Sequence, residues 1–280
     1  MFYHINKTVQ LFKMKLAYFF IITFIIILMF SAAVSPTVSA AENIYYLSEY
    51  SGSRLTPIYK VERHDKKISL TIDGAWGSNK TEALLKLFKA ESIPVSFFFA
   101  GIWLENNPNL VNKIIEAGHQ IYNHSYSHPH FNYLNQKEIE KELLKTEEII
   151  NKYQKKNANP KFFRPPYGEY NELVIKTARE LNYQVVQWSL DSHDWMDPGK
   201  EYIINRINKN ISSGDIILFH NNSNNIVEIL SEIIPMLKKE YQFVKIKDLI
   251  YNNNYQINSL TGLQSKIKDD DNGNYGRKTK

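Results

Sequence analysis

Ile68-Ser69-Leu70-Thr71-Ile72 is a short apolar run that stops at Asp73. From Lys80 to Lys89 the pattern changes, with Leu84, Leu85, Leu87 and Phe88 on one side. The first stretch reads as a buried strand and the second as an amphipathic helix. The same pair of signals recurs down the chain. Pro94 to Phe99 reads as a strand, followed by a helix from Pro108 to Ala117 that Gly118 stops. Gln120-Ile121-Tyr122 is a short strand, and Asn135 opens a long helix to about Tyr153 with Ile139, Leu143, Leu144 and Ile150 at core spacing. Three further units follow: Phe162-Phe163 with Glu172 to Leu181, Gln184 to Trp188 with Glu201 to Ile211, and Asp215 to Phe219 with Ile226 to Lys239. Phe243 to Ile246 reads as a last strand. Apolar strands alternating with helices predict an α/β fold, a parallel sheet covered by helices. The number of units predicts a distorted β/α barrel of seven or eight parallel strands. A doubly wound open sheet is the alternative, but no glycine-rich phosphate loop follows the first strand.

Residues 1–40 read as an export segment. Lys7, Lys13 and Lys15 precede an apolar run from Leu16 to Phe30 broken only by Thr23, and Val38-Ser39-Ala40 has the small-x-small form of a cleavage site. The run from Leu16 to Val34 is also long enough for an uncleaved anchor. Either way the remainder is expected outside the cytoplasm, secreted or held at the outer face of the membrane, with the membrane touched only through this segment. Residues 41–65 read as a lead-in arm, 66–250 as the barrel, and 251–280 as a polar, mobile tail containing Asp269-Asp270-Asp271. The formal charge is +5, but three of the lysines belong to the first 40 residues, which carry no acidic residue. The rest is nearly neutral, so no electrostatic footprint for nucleic acid is present. The chain has no cysteine, which excludes disulfides, thiolate metal sites and cysteine nucleophiles.

The placement of polar residues is the informative part. Barrel enzymes carry their chemistry at the carboxyl ends of strands. Here Asp73, the pair His124 and His128, Arg164, the pair Asp191 and Asp194, and His220 each follow a different predicted strand. Taken singly, such an aspartate is often a helix cap and such a histidine a structural group; five on one rim point to a site. In one helical turn, His124 and His128 would point the same way and suit a divalent metal such as zinc. His119 and His130 read as structural or surface groups, and His193 as facing solvent.

Five segments occur in order: Thr71-Ile72-Asp73-Gly74, His124-Ser125-Tyr126-Ser127-His128, Arg164-Pro165-Pro166-Tyr167-Gly168, Asp191-Ser192-His193-Asp194-Trp195 and Leu218-Phe219-His220. Together they resemble the five motifs of the polysaccharide deacetylases, carbohydrate esterase family four or NodB-homology domain, nearest to its sporulation and peptidoglycan members. The resemblance implies a barrel of the glycoside hydrolase/deacetylase type that hydrolyses acetyl groups of a glycan, with peptidoglycan as the favoured polymer. It implies a divalent metal on His124 and His128, with Asp73 as general base and Arg164 pairing with Asp73 to keep it ionised. The Tyr167 backbone N–H would help hold the oxyanion, and His220, oriented by Asp194, would protonate the departing amine. Leu218 and Trp195 would wall the acetyl pocket.

One position departs from the pattern. The family's first motif usually has two consecutive aspartates, the second a metal ligand; here the second is Gly74. Two imidazoles alone make a weak divalent site, since catalytic zinc usually has three protein ligands. Water or another side chain completing the shell, Asp73 moving to the metal, or a protein that binds glycan without hydrolysing it are the readings this leaves. An amidase acting on stem peptides is a further, weaker one.

Overall fold

The computed structural model describes residues 55–154 and 160–267. The export segment expected at 1–40 lies outside the described residues, as do 41–54 of the lead-in and 268–280 of the tail. Among the described residues, no helix is long and apolar enough to cross a membrane.

A short strand β1 (Lys60–Val61) precedes β2 (Lys67–Gly74), which is buried from Ile68 onward. Then come α1 (Thr81–Ala90), β3 (Ser96–Phe99), α2 (Gly101–Asn106), α3 (Pro108–Glu116) and β4 (Gln120–Asn123). The chain continues through α4 (Gln136–Tyr153), β5 (Lys161–Phe163), α5 (Glu172–Glu180), β6 (Tyr183–Val185), β7 (Leu190–Asp191) and α6 (Lys200–Asn210). It ends with β8 (Ile216–His220), α7 (Ile226–Leu237), β9 (Gln242–Phe243), α8 (Ile246–Leu249), β10 (Tyr255–Ile257) and β11 (Leu263–Lys266). Strands β6, β5, β4, β3, β2, β8 and β7 lie side by side in that order, all parallel, and β9 pairs with the start of β2. This is the distorted β/α barrel, with β2 between β3 and β8. The sheet is buried on both faces because its strands are apolar at successive positions: Phe97 and Phe99 pack towards the helices, while Phe98 packs with Tyr122, Phe162 and Ile216 on the other side.

Among the described residues no ladder joins β6 to β7, so the barrel has a seam. The arm before β2 spans it. Ile58 N–H donates to Val185 O at 2.9 Å, and Ile58 O accepts from Gln187 N–H at 2.8 Å. Farther on, Val61 N–H donates to Gly214 O, and Lys60 Nζ meets Asp215 Oδ1 at 2.8 Å. Gly214 has φ +84°, and a Cβ there would overlap the Val61 carbonyl, so the approach of arm to barrel needs glycine. Ile58 is 1% exposed. Ile58→Ala is expected to cost about 2–5 kcal/mol, read as a fall in the urea midpoint; a midpoint unmoved from the parent's would show that the seam holds without the arm.

Several sequence expectations need correction. The tail from 251 is not mobile throughout: β11 pairs with β1 and β10, and the buried Gln264 side chain accepts from Tyr251 N–H and donates to Tyr251 O. Its polar composition is compatible with order because those polar groups are paired. The strand read over 184–188 stops at Val185, where the chain leaves one sheet edge to form β7 at the other. The strand read over 243–246 stops at Phe243, and Ile246 opens α8. In α4, Asn135 caps the helix reciprocally with Glu138, as its position implied. Ile139, Leu143 and Ile149 form its buried stripe, while Leu144 is exposed. The helical pitch carries Leu144 off the stripe.

Candidate active site

The site grows from the carboxyl ends of the central strands. Asp73 lies one residue from the end of β2, in register with His220 of β8. Arg164 follows β5 and is completely buried. Its guanidinium donates to Asp73 Oδ1 at 2.6 Å, to Thr71 Oγ1 at 2.9 Å and to Gln187 O at 3.0 Å, and lies 4.1 Å above the Phe98 ring. Burial pushes the Asp73 carboxyl above its usual range, and the charges of Arg164 and His220 pull it back only in part. Arg164 pairs with Asp73 and favours its ionised form, while burial opposes it. A raised carboxyl is a better proton acceptor near neutrality.

His124 and His128 stand on the loop after β4. The expected helical turn does not form; Ser125 and His128 have positive φ and the segment is irregular. The two rings nonetheless come to 4.9 Å between centroids. Glu142 of α4 fixes the loop by accepting from the N–H groups of Tyr126 and Ser127, and Asn123 Oδ1 accepts from Ser125 N–H. His124 Nδ1 lies 2.7 Å from Arg164 O. A carbonyl can only accept, so Nδ1 carries the proton and Nε2 is left bare, 3.7 Å from Asp73 Oδ2. Burial lowers His124 to about 3; burial and its neighbour His124 do the same for His128. Both are neutral imidazoles.

His220 is held by Asp194. Its Nδ1 lies 2.8 Å from Asp194 Oδ1, and its backbone N–H donates to Asp194 Oδ2, which also accepts from Ser223 Oγ at 2.7 Å. Burial works against protonation of His220, but the hydrogen bond and charge of Asp194, with Asp73, outweigh it and raise the imidazole above its ordinary 6.5.

These groups open onto a cavity of about 710 Å³, which Asp73, His128, Tyr167, Trp195, Leu218 and His220 all line. Leu218 is buried there, whereas Tyr167 and Trp195 are exposed. Tyr167 has φ 58°, and the bonds of its turn run from Gly168 N–H to Pro165 O and from Glu169 N–H to Pro166 O, leaving the Tyr167 N–H out of them. Asp191 caps its own turn, accepting from His193 N–H. His193 stacks beside Tyr202 instead of simply facing solvent, His130 stacks on Tyr167, and His119 is buried and accepts from Val95 N–H. Thr71, Glu142, Gln187 and Ser223 were not singled out by sequence. Thr71 was within reach, because two residues before Asp73 on a strand means the same face.

Two bare imidazoles face one carboxylate already bound to Arg164, and among the described residues no group of three or more His, Cys, Asp or Glu is placed to hold a metal. That falls short of the three protein ligands of a catalytic zinc.

The strand ends of this parallel barrel bring a buried carboxylate and a carboxylate-held imidazole side by side to one open cavity, the kind of place where barrel hydrolases carry their chemistry. The chain belongs to the polysaccharide deacetylase family, whose model matches residues 60–186. It is 35% identical over 198 residues to a peptidoglycan-N-acetylglucosamine deacetylase of Bacillus cereus, covering 69% of this chain and 92% of that one. It is 32% identical over 200 residues to the peptidoglycan-N-acetylmuramic acid deacetylase PdaA of Bacillus subtilis, covering 70% and 76%. Among solved structures it is similar to a CE4-family pseudoenzyme from Bacillus anthracis, with a TM-score of 0.65 at 28% identity, covering 76% of this chain and 70% of that one.

Proposed function

We propose that this chain removes N-acetyl groups from peptidoglycan outside the cytoplasm. The observation that carries the reading is the pairing of Asp73 with His220 in register across β2 and β8, each held by its own buried partner, Arg164 and Asp194. In this reading Asp73 takes the proton of the attacking water and His220 gives one to the departing amine. The Tyr167 N–H donates to the oxyanion, and Leu218 and Trp195 hold the acetyl group. The named activities of the Bacillus cereus and Bacillus subtilis relatives support the polymer, and the basic-then-apolar segment at 1–40 supports the compartment. His124 and His128 are the residues zinc would take, as imidazoles suit it, and with two ligands the site is weak.

Acetate release from purified peptidoglycan is the test. Asp73→Asn and His220→Ala are each expected to lower the rate by about 10²–10⁴-fold. Full release by both variants would remove the mechanism. A second reading, glycan binding without hydrolysis, is favoured by Gly74, where the family's second aspartate is missing. It predicts saturable binding to peptidoglycan and no acetate under any divalent metal.

A further inference from the structure

The seat of the missing carboxylate is filled. Gly74 closes β2 beside Phe99 of β3, its partner in the parallel register. A Cβ built on Gly74 would lie 2.5 Å from Phe99 Cε1 and 2.8 Å from both Phe99 Cδ1 and Asn221 Oδ1. Atoms at that range cannot coexist without movement. The Phe99 ring has little freedom to retreat: it is completely buried, lies 4.0 Å from the Trp103 ring and 5.2 Å from the Phe97 ring, and belongs to the core between sheet and helices. Asn221 is pinned from two sides. Its backbone N–H donates to Asp73 O at 2.9 Å, and its Nδ2 donates to Gly77 O at 2.7 Å. Its Oδ1 is buried with no hydrogen-bond partner, so the amide is held there by the other two bonds. Gly74 is outside the left-handed region, so the constraint on this position is volume and not backbone conformation.

We infer that Phe99 and Asn221 close the place of a third metal ligand, so that the centre of this chain is a two-histidine site by construction. The glycine is the residue its surroundings require, and putting an aspartate back is opposed by packing. A simple loss of one ligand would have left room for it; here the neighbours occupy that room. The inference rests on the reading of His124 and His128 as the metal pair, and because its test reads packing and zinc affinity rather than acetate, its failure is distinguishable from failure of the proposed deacetylation.

The test is a thermal melt and a zinc titration on the full chain in mild detergent. Gly74→Ala adds the Cβ alone and is expected to lower Tm by about 3–10 °C, as overpacking does. Introduced into a Phe99→Val, Asn221→Ala background, the same methyl is expected to leave Tm unchanged or raise it. Gly74→Asp in the otherwise intact chain is expected to lower Tm and to change zinc affinity by less than about threefold. The inference is overturned if Gly74→Ala melts with the parent, or if Gly74→Asp alone tightens zinc about tenfold or more, whatever its Tm.

Discussion

An Arg164→Leu chain is expected to lose about 3–5 kcal/mol of folding stability, because it strands a buried charge. The leucine matches the apolar surroundings of Phe98 and Trp188 but leaves the Asp73 carboxylate buried without its guanidinium. Thr71 Oγ1 and Gln187 O lose a donor at the same time. Burial already pushes Asp73 upward against the pull of Arg164, so the variant's carboxyl moves further up and is held protonated over more of the pH range. Acetate release should collapse together with stability. Lysine should not restore it, since one ammonium cannot reproduce a fork that reaches two side chains of β2 and the Gln187 carbonyl at once. Urea unfolding read beside acetate release checks this; a variant within about 1 kcal/mol of the parent would show that the pair is not what holds the barrel interior together.

Asp194→Asn should give the second-largest effect, and its signature is a moved pH profile. His220 has to be protonated to serve as the acid, so activity is present below its pKa and is lost as pH rises through it. Asp194 is the group that raises that pKa against the opposing effect of burial. Asparagine keeps the shape but removes the charge, so burial then dominates and the alkaline limb of the rate moves to lower pH. The same sign holds for stability: the contribution of the raised imidazole is complete below the unfolded value near 6.5 and disappears as pH rises through the folded value. In the variant that contribution is missing on the acid side. At neutral pH a rate loss of about 10²-fold or more is expected. An alkaline limb that stays in place would mean that some group other than His220 delivers the proton.

Much of this arrangement was legible in the sequence, for definable reasons. Strands such as Ile216–His220 are continuous apolar runs ending in one polar residue, and that ending is what marks the rim. The local signals that failed were those decided by distant partners. Nothing local says that residues 186–189 cross from one sheet edge to the other, because the crossing depends on the arm at Ile58. The histidine spacing read as a helical turn, yet the loop is shaped by Glu142 from a helix that comes later in the chain. Leu144 and Ile149 exchanged places because the helix axis, not the sequence, sets which stripe meets the sheet. The glycine at 74 was visible as a departure, but its tight fit against Phe99 and Asn221 could only come from three strands meeting.

The pairing of Lys60 with Leu263 has a consequence for how the protein is made. During synthesis, the arm emerges early; Ile58 can join Val185 and Gln187 once that strand is made, but β1 has no ladder partner until the last hairpin has left the ribosome. Completing this small outer sheet is thus among the longest-range steps in the chain, and topologies dominated by such contacts fold slowly. A nascent chain stalled short of β11 would leave β1 without its ladder partner, and unpaired strand edges are what expose such intermediates to aggregation.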